Sequence, residues 1–210
     1  GHRAECTGWN EELQTYHPEN VVVRNGALHL IAQRTPDGGY TSGAVTTAVD
    51  VFGYDQPGYS DFTYRYGYTE VRFRTPAGAG MWPAVWGLPY NSDGDEIDII
   101  EVVKGSAFFT LHTGSWLGGG QHELPGIDFS QDWHTVGTLW EPGKITWYLD
   151  GTEVYSVTAD IPDQPFFVQA NLAIGGEWPG PPDASTPFPG SFDIDYIRVF
   201  QPANDSTATF

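Results

Sequence analysis

The sequence predicts an all-β protein, an antiparallel sandwich of the jelly-roll kind. Three observations carry this. Short alternating or β-branched runs recur along the 210 residues, each cut by Gly, Pro, Asn or Asp. No segment holds the 3.6-residue apolar period of an amphipathic helix over three turns. The 26 glycines and 16 prolines punctuate turns rather than gather into a linker, and no internal repeat emerges.

The elements follow in order. Ala27–Gln33 alternates and is preceded by an Asn25-Gly26 turn. Val45–Phe52 is strand-like. Tyr68–Arg74 sets Tyr68, Glu70, Arg72 and Arg74 on one face and Thr69, Val71 and Phe73 on the other. Strands are then predicted at Trp82–Leu88, Glu96–Val103, Ala107–Thr113, His134–Glu141, Lys144–Leu149, Thr152–Thr158, Phe166–Ile174 and Phe192–Gln201. Asp150-Gly151 between two of these is a two-residue hairpin signal. Pro179–Gly190 is proline-rich but too short to separate domains, and reads as a surface loop. Residues 1–210 therefore read as one domain.

Composition removes several classes of function. Nine basic residues stand against 27 acidic ones, a net charge of −18. That lacks the basic footprint a nucleic-acid binder needs and disfavours an anionic membrane surface. No apolar run approaches the roughly 18 residues of a membrane-spanning helix. The lone Cys6 excludes an internal disulfide and a multi-cysteine zinc site. No histidine pair has the spacing of a catalytic zinc site. With 40% hydrophobic residues and eight tryptophans, the chain can bury a core.

The most informative stretch is Asp95-Glu96-Ile97-Asp98-Ile99-Ile100-Glu101. In a regular strand Glu96 and Asp98 share a face and Glu101 points away. One extra residue, a β-bulge between Asp98 and Glu101, would return Glu101 to the face of the other two. Like charges on an apolar strand repel and resist desolvation, so such a run needs a cause. Retaining glycosidases supply one: a carboxylate attacks the anomeric carbon while a second carboxylic acid protonates the leaving oxygen and later activates water. By itself the motif admits two other readings, an acidic strand edge facing solvent and a calcium cluster.

The wider sequence resembles glycoside hydrolase family 16, the laminarinase-like β-glucanases. The matching pieces run in order: Asn20–Val23 with Asn25–Leu28, Tyr66–Arg72, Gly80–Trp86, Glu96–Glu101, Trp133–Thr135, Trp147–Gly151, Asn171–Gly176 and Asp195–Phe200. The resemblance implies a two-sheet antiparallel β-jelly roll of the concanavalin A-like kind, with an open concave cleft. It implies retention of configuration, with Glu96 as nucleophile, Glu101 as acid/base and Asp98 as the assisting acid. The bulged spacing, in this family, goes with laminarinases and some galactan hydrolases, so the expected activity is endo-cleavage of β-1,3-glucan. The alternatives are an agarose-like galactan hydrolase, a transglycosylase on the same site, and a carbohydrate-binding jelly roll without catalysis.

Sugars stack their apolar faces on aromatic rings and need fixed partners for their hydroxyls. Trp82 and Trp86, four apart on a strand, share a face, and the resemblance places that strand in the cleft; core packing is the competing reading. Trp178, in a loop after Gly175-Gly176, matches the neighbourhood of a sugar-stacking tryptophan. Glu70, Arg72 and Asn171 match positions that bond sugar hydroxyls or steady the nucleophile, against a salt-bridged structural network. His112 matches a cleft histidine, against a satisfied strand histidine. Trp133, Trp140 and Trp147 are expected in the core.

No cofactor is expected for catalysis. The resemblance implies a possible structural calcium, held here by Asp195 and the Gly26 carbonyl, oxygen ligands suited to a hard cation. It also implies a first strand for which this chain starts too late. Where laminarinases carry Trp-Pro before the nucleophile, Tyr90–Asp95 stands here, leaving Tyr90 or Trp116 to supply the ring. The expected partner is a polysaccharide, with no nucleic acid and no membrane, and the expected state is a secreted monomer.

Overall fold

The computed structural model describes residues 10–48, 62–90 and 94–202, with backbone alone at 115–117. Its strands, in chain order, begin with β1 (Gln14–Tyr16), a 3-10 turn at Pro18–Asn20, β2 (Val21–Arg24), β3 (Ala27–Arg34), β4 (Tyr40–Ser42) and β5 (Ala44–Thr46). They continue with β6 (Gly67–Arg74), β7 (Met81–Pro89), β8 (Glu96–Val103), β9 (Ser106–Thr113) and β10 (Ser115–Pro125). The last are β11 (His134–Glu141), β12 (Lys144–Leu149), β13 (Thr152–Val157), β14 (Phe166–Ile174) and β15 (Gly190–Phe200).

Two sheets result. One has nine strands in the order β1-β4-β3-β15-β6-β11-β12-β13, with β2 also on β3. The other has six, in the order β10-β9-β8-β7-β14-β5. All pairs are antiparallel except β1 with β4. This is the two-sheet jelly roll that the sequence predicts.

Alternation decides which side chains meet between the sheets. Val71 and Phe73 of β6, Val136 of β11 and Ile145 and Trp147 of β12 face inward from the nine-stranded sheet. Val85 of β7, Ile97 of β8, Phe109 and Leu111 of β9, and Val168, Ala170 and Leu172 of β14 meet them from the six-stranded sheet. All of these belong to one buried cluster. Asp150 and Gly151 both take positive φ, +49° and +79°, the conformation a two-residue hairpin between β12 and β13 requires.

Strand β10 departs from the sequence reading. It is absent from the strands expected above and contains Gly118-Gly119-Gly120. A Cβ on Gly119 would lie 2.3 Å from Leu111 Cγ, so a bare backbone is what lets β10 close onto β9. The short strands β1, β2 and β4 hold too little alternation to be read from sequence. The expected strand Val45–Phe52 appears as β5 up to Thr46, and residues 49–61 lie outside the described residues. So do residues 1–9, to which the expectation about a first strand belongs. Among the described residues no helix is long and apolar enough to cross a membrane.

Candidate active site

The bulge is where the motif predicts it. Glu96 pairs with His112, Asp98 with Thr110 and Glu101 with Phe108, and the register slips between Asp98 and Glu101. Ile99 and Ile100 together stand against Phe109, and both are buried. The extra residue brings Glu96, Asp98 and Glu101 onto the outer face of the six-stranded sheet.

Neighbouring strands furnish the surroundings. Trp82 and Trp86 project from β7 on the same face as the acids, half-buried. The Trp82 indole N–H donates to Glu101 Oε1 at 2.9 Å. That of Trp86 donates to Asn171 Oδ1 at 2.7 Å, while Asn171 Nδ2 donates to the Tyr16 hydroxyl at 2.9 Å. Asn171 thus ties β14 to both Trp86 and β1. The Trp178 ring meets Trp82 edge-on with centroids 5.3 Å apart and Phe108 at 4.6 Å. His112 Nε2 shares a hydrogen bond with Asp98 Oδ2 at 3.0 Å and lies 3.8 Å from Glu96 Oε1. Of the expected sugar-binding residues, Trp82, Trp86, His112, Asn171 and Trp178 are therefore assembled around the three acids.

Burial governs the protonation of this cluster. It holds the Asp98 carboxyl well above the usual aspartate range, helped by the charge of Glu101 and opposed by hydrogen bonds with Glu96 and Thr110. Burial, then the Asp98 charge, also raises Glu96. Glu101 is pushed up to about 8, again by burial, against the Trp82 hydrogen bond that favours its ionised form. His112 is driven toward the neutral imidazole by burial, with Glu96 acting the other way. Glu96 and Asp98 are hydrogen-bonded to each other. The Glu96 side chain is 27% exposed and that of Asp98 only 2%. The hydrogen bond between them raises Glu96, which is pushed up to about 9, and lowers Asp98, so in the unliganded protein the shared proton sits on Glu96, the side that water reaches.

Two expected site residues are elsewhere. Glu70 and Arg72 lie on β6, on the outer face of the nine-stranded sheet, across the core from the acids. Glu70 accepts from the Tyr196 hydroxyl at 2.8 Å, and Arg72 pairs with Asp195. The Arg72 and Arg74 guanidiniums stand 4.9 and 5.5 Å from the Trp133 ring centroid, which also moves Trp133 from the expected core to this outer face. Trp140 and Trp147 are buried as expected.

The calcium ligands do not form a cage. The pairing of β15 with β3 ends at Ile194 and Leu28, which brings Asp195 beside the Gly26 turn, but its carboxylate is spent on Arg72. A calcium ion takes six to eight oxygens. One carboxylate already neutralised by a guanidinium does not fit it. Among the described residues one group of three metal-ligating side chains converges, Glu96, Asp98 and His112, with ligand atoms within 4.8 Å of one another. Their ligand atoms are engaged in the hydrogen bonds just given.

Tyr90, offered as a substitute ring, is 47% exposed and packs against Phe167 with centroids 5.1 Å apart. The Trp116 side chain lies outside the described residues. Sequence reasoning missed Tyr16, Thr110, Phe108 and Gln169. The buried Gln169 Oε1 has no hydrogen-bond partner among the described residues, next to Trp86 on the pairing of β14 with β7. Alternation on β9 and β14 could have found three of these; Tyr16 sits on a strand too short to read.

Side-by-side carboxyls on one strand face, flanked by half-buried tryptophan rings, are what cleavage of a glycosidic bond requires. They define the class of protein, a glycosidase. The chain belongs to glycosyl hydrolases family 16, which it matches over residues 11–198. It is 32% identical to glucan endo-1,3-beta-glucosidase A1 of Niallia circulans, over 92% of this chain and 33% of that one. To a beta-glucanase of Rhodothermus marinus it is 34% identical, over 92% and 76%. The chain thus spans a third of the first relative's length and about three quarters of the second's. Among solved structures it resembles the laminarinase catalytic domain of Thermotoga maritima, with a TM-score of 0.77 and 34% identity, covering 93% of this chain and 85% of that one.

Proposed function

We propose that this chain is an endo-acting, retaining hydrolase of β-1,3-linked glucan, working by double displacement. The observation that carries the reading is the bulge of β8, which sets Glu96, Asp98 and Glu101 on one face. Glu96, the most exposed of the three acids, attacks the anomeric carbon in its carboxylate form. Asp98, hydrogen-bonded to Glu96, orients the nucleophile. Glu101 is protonated at neutral pH because its pKa is about 8, so it delivers a proton to the departing oxygen. It then takes one from the water that releases the sugar. Half-buried Trp86, Trp82 and Trp178 offer rings for the sugar faces. The relatives named for 1,3-glucan support the linkage. In this reading the enzyme is a monomer that meets its polymer outside the cell, and a carbohydrate-binding role without catalysis would leave the protonation pattern unused.

The test is product analysis on laminarin, lichenan and agarose, with NMR of the first anomer released. Laminarin should yield oligosaccharides of intermediate length in the β-configuration, and Glu96→Gln should lose activity by at least about a thousandfold, about 4 kcal/mol of barrier. Undiminished turnover by Glu96→Gln, or release of the α-anomer, would sink the mechanism. Cleavage of agarose alone would sink the linkage.

A further inference from the structure

The bulge that aligns the acids has a consequence inside the core. A bulge interrupts the ladder of its strand, and the carbonyl of Asp98 borders the point where the register slips. That oxygen accepts a hydrogen bond at 2.8 Å from the indole N–H of Trp147. Trp147 belongs to β12 in the opposite sheet and is fully buried, so the bond spans the sandwich. A carbonyl aimed into an apolar interior needs such a donor, because no water is there to replace it. Tyr155 stacks on the Trp147 ring with centroids 5.4 Å apart and an interplanar angle of 29°, which fixes the direction of the N–H.

We propose that Trp147 is a positioning residue: its indole N–H, reaching through the core, pins the β8 bulge and so sets the spacing of Glu96 and Glu101. This rests on the hydrolase reading above. Trp147 touches no substrate. It acts through the backbone of Asp98, on which the register of both glutamates depends. Displacement of reacting groups by a fraction of an ångström lowers turnover without loosening substrate.

The molecule supplies its own control. Trp140, on β11, is as fully buried and donates its N–H at 3.1 Å to the Pro162 carbonyl, in a loop that bonds the Asp95 side chain through Gln164, and not to the Asp98 carbonyl at the bulge. Trp147→Phe and Trp140→Phe each delete one buried indole N–H while keeping an aromatic ring. Both should lower the melting temperature. Measured on laminarin well below either melting temperature, Trp147→Phe should lower kcat about tenfold, equivalent to about 1.4 kcal/mol of barrier, with KM within twofold of wild type. Trp140→Phe should leave both constants within twofold. A kcat for Trp147→Phe within twofold of wild type, or an equal fall in both variants, overturns the proposal. Should Trp147→Phe fail to fold, replacing Trp147 by 3-benzothienylalanine keeps the bicyclic ring and puts sulfur in place of N–H, and the same criteria apply to it. If wild-type protein cleaves no glucan, the hydrolase reading fails instead, which is a separate outcome.

Discussion

The bond from Trp82 to Glu101 allows a test in which sign and size both follow from the structure. Its N–H lies 2.9 Å from Oε1 and acts at full strength only on an ionised carboxylate. Deleting it by Trp82→Phe therefore favours the protonated acid. A hydrogen bond to a charged acceptor is worth about 1.5–3 kcal/mol, and one pKa unit about 1.4 kcal/mol. Trp82 is half-exposed, so water replaces some of the lost bond and the lower end applies. Glu101 should move from about 8 to about 9.

Because Glu101 must be protonated to expel the leaving group, kcat/KM falls as pH rises through its pKa. The assay is kcat/KM on laminarin from pH 5 to 10. The alkaline limb of Trp82→Phe should lie about one unit higher than that of wild type, even though the lost ring lowers the rate at every pH. Trp86→Phe is the matched control, since its N–H goes to Asn171 Oδ1, which does not titrate. A limb that stays in place, moves to lower pH, or moves equally in Trp86→Phe would refute the reasoning.

Two further outcomes follow from the same geometry. The rise of Glu101 from 4.5 to about 8 makes the folded state bind its proton more tightly than the unfolded state. Its contribution to stability is thus fully present below pH 4.5 and lost as pH rises through 8, about 5 kcal/mol in all. Denaturant titrations should show Glu101→Gln gaining stability relative to wild type steadily between those limits, and parallel curves would count against it. Arg72→Ala should leave kcat/KM within twofold and cost no more than about 1 kcal/mol, because both partners of its pair with Asp195 are over a third exposed. A tenfold loss of kcat/KM would put Arg72 back in the site.

Much of the site is legible in the sequence because a strand has a period of two. The spacing of Glu96, Asp98 and Glu101 makes sense only with a bulge, and the paired isoleucines between the acids are its apolar filling. Trp82 and Trp86 share a face for the same reason. The Tyr68–Arg74 strand shows the limit. Alternation assigns its two faces correctly, with Glu70 and Arg72 on the solvent side, yet that side belongs to the other sheet. Both sheets of a sandwich bury one face and expose the other, so alternation alone cannot say which exposed face carries the acids.

The sequence by itself therefore determined the strands with long alternation, the turns that need positive φ, and the three acids with their bulge. These depend on residues a few positions apart. The tertiary structure decided which strands became neighbours, so that Asn171 joins Trp86 to Tyr16 and Trp178 leans on Phe108. It also decided that an indole on one sheet would meet a carbonyl on the other. Such contacts join residues from 49 (Asp98 to Trp147) to 155 (Tyr16 to Asn171) positions apart. Their physical cause is the close packing of two inner faces, which no local pattern encodes.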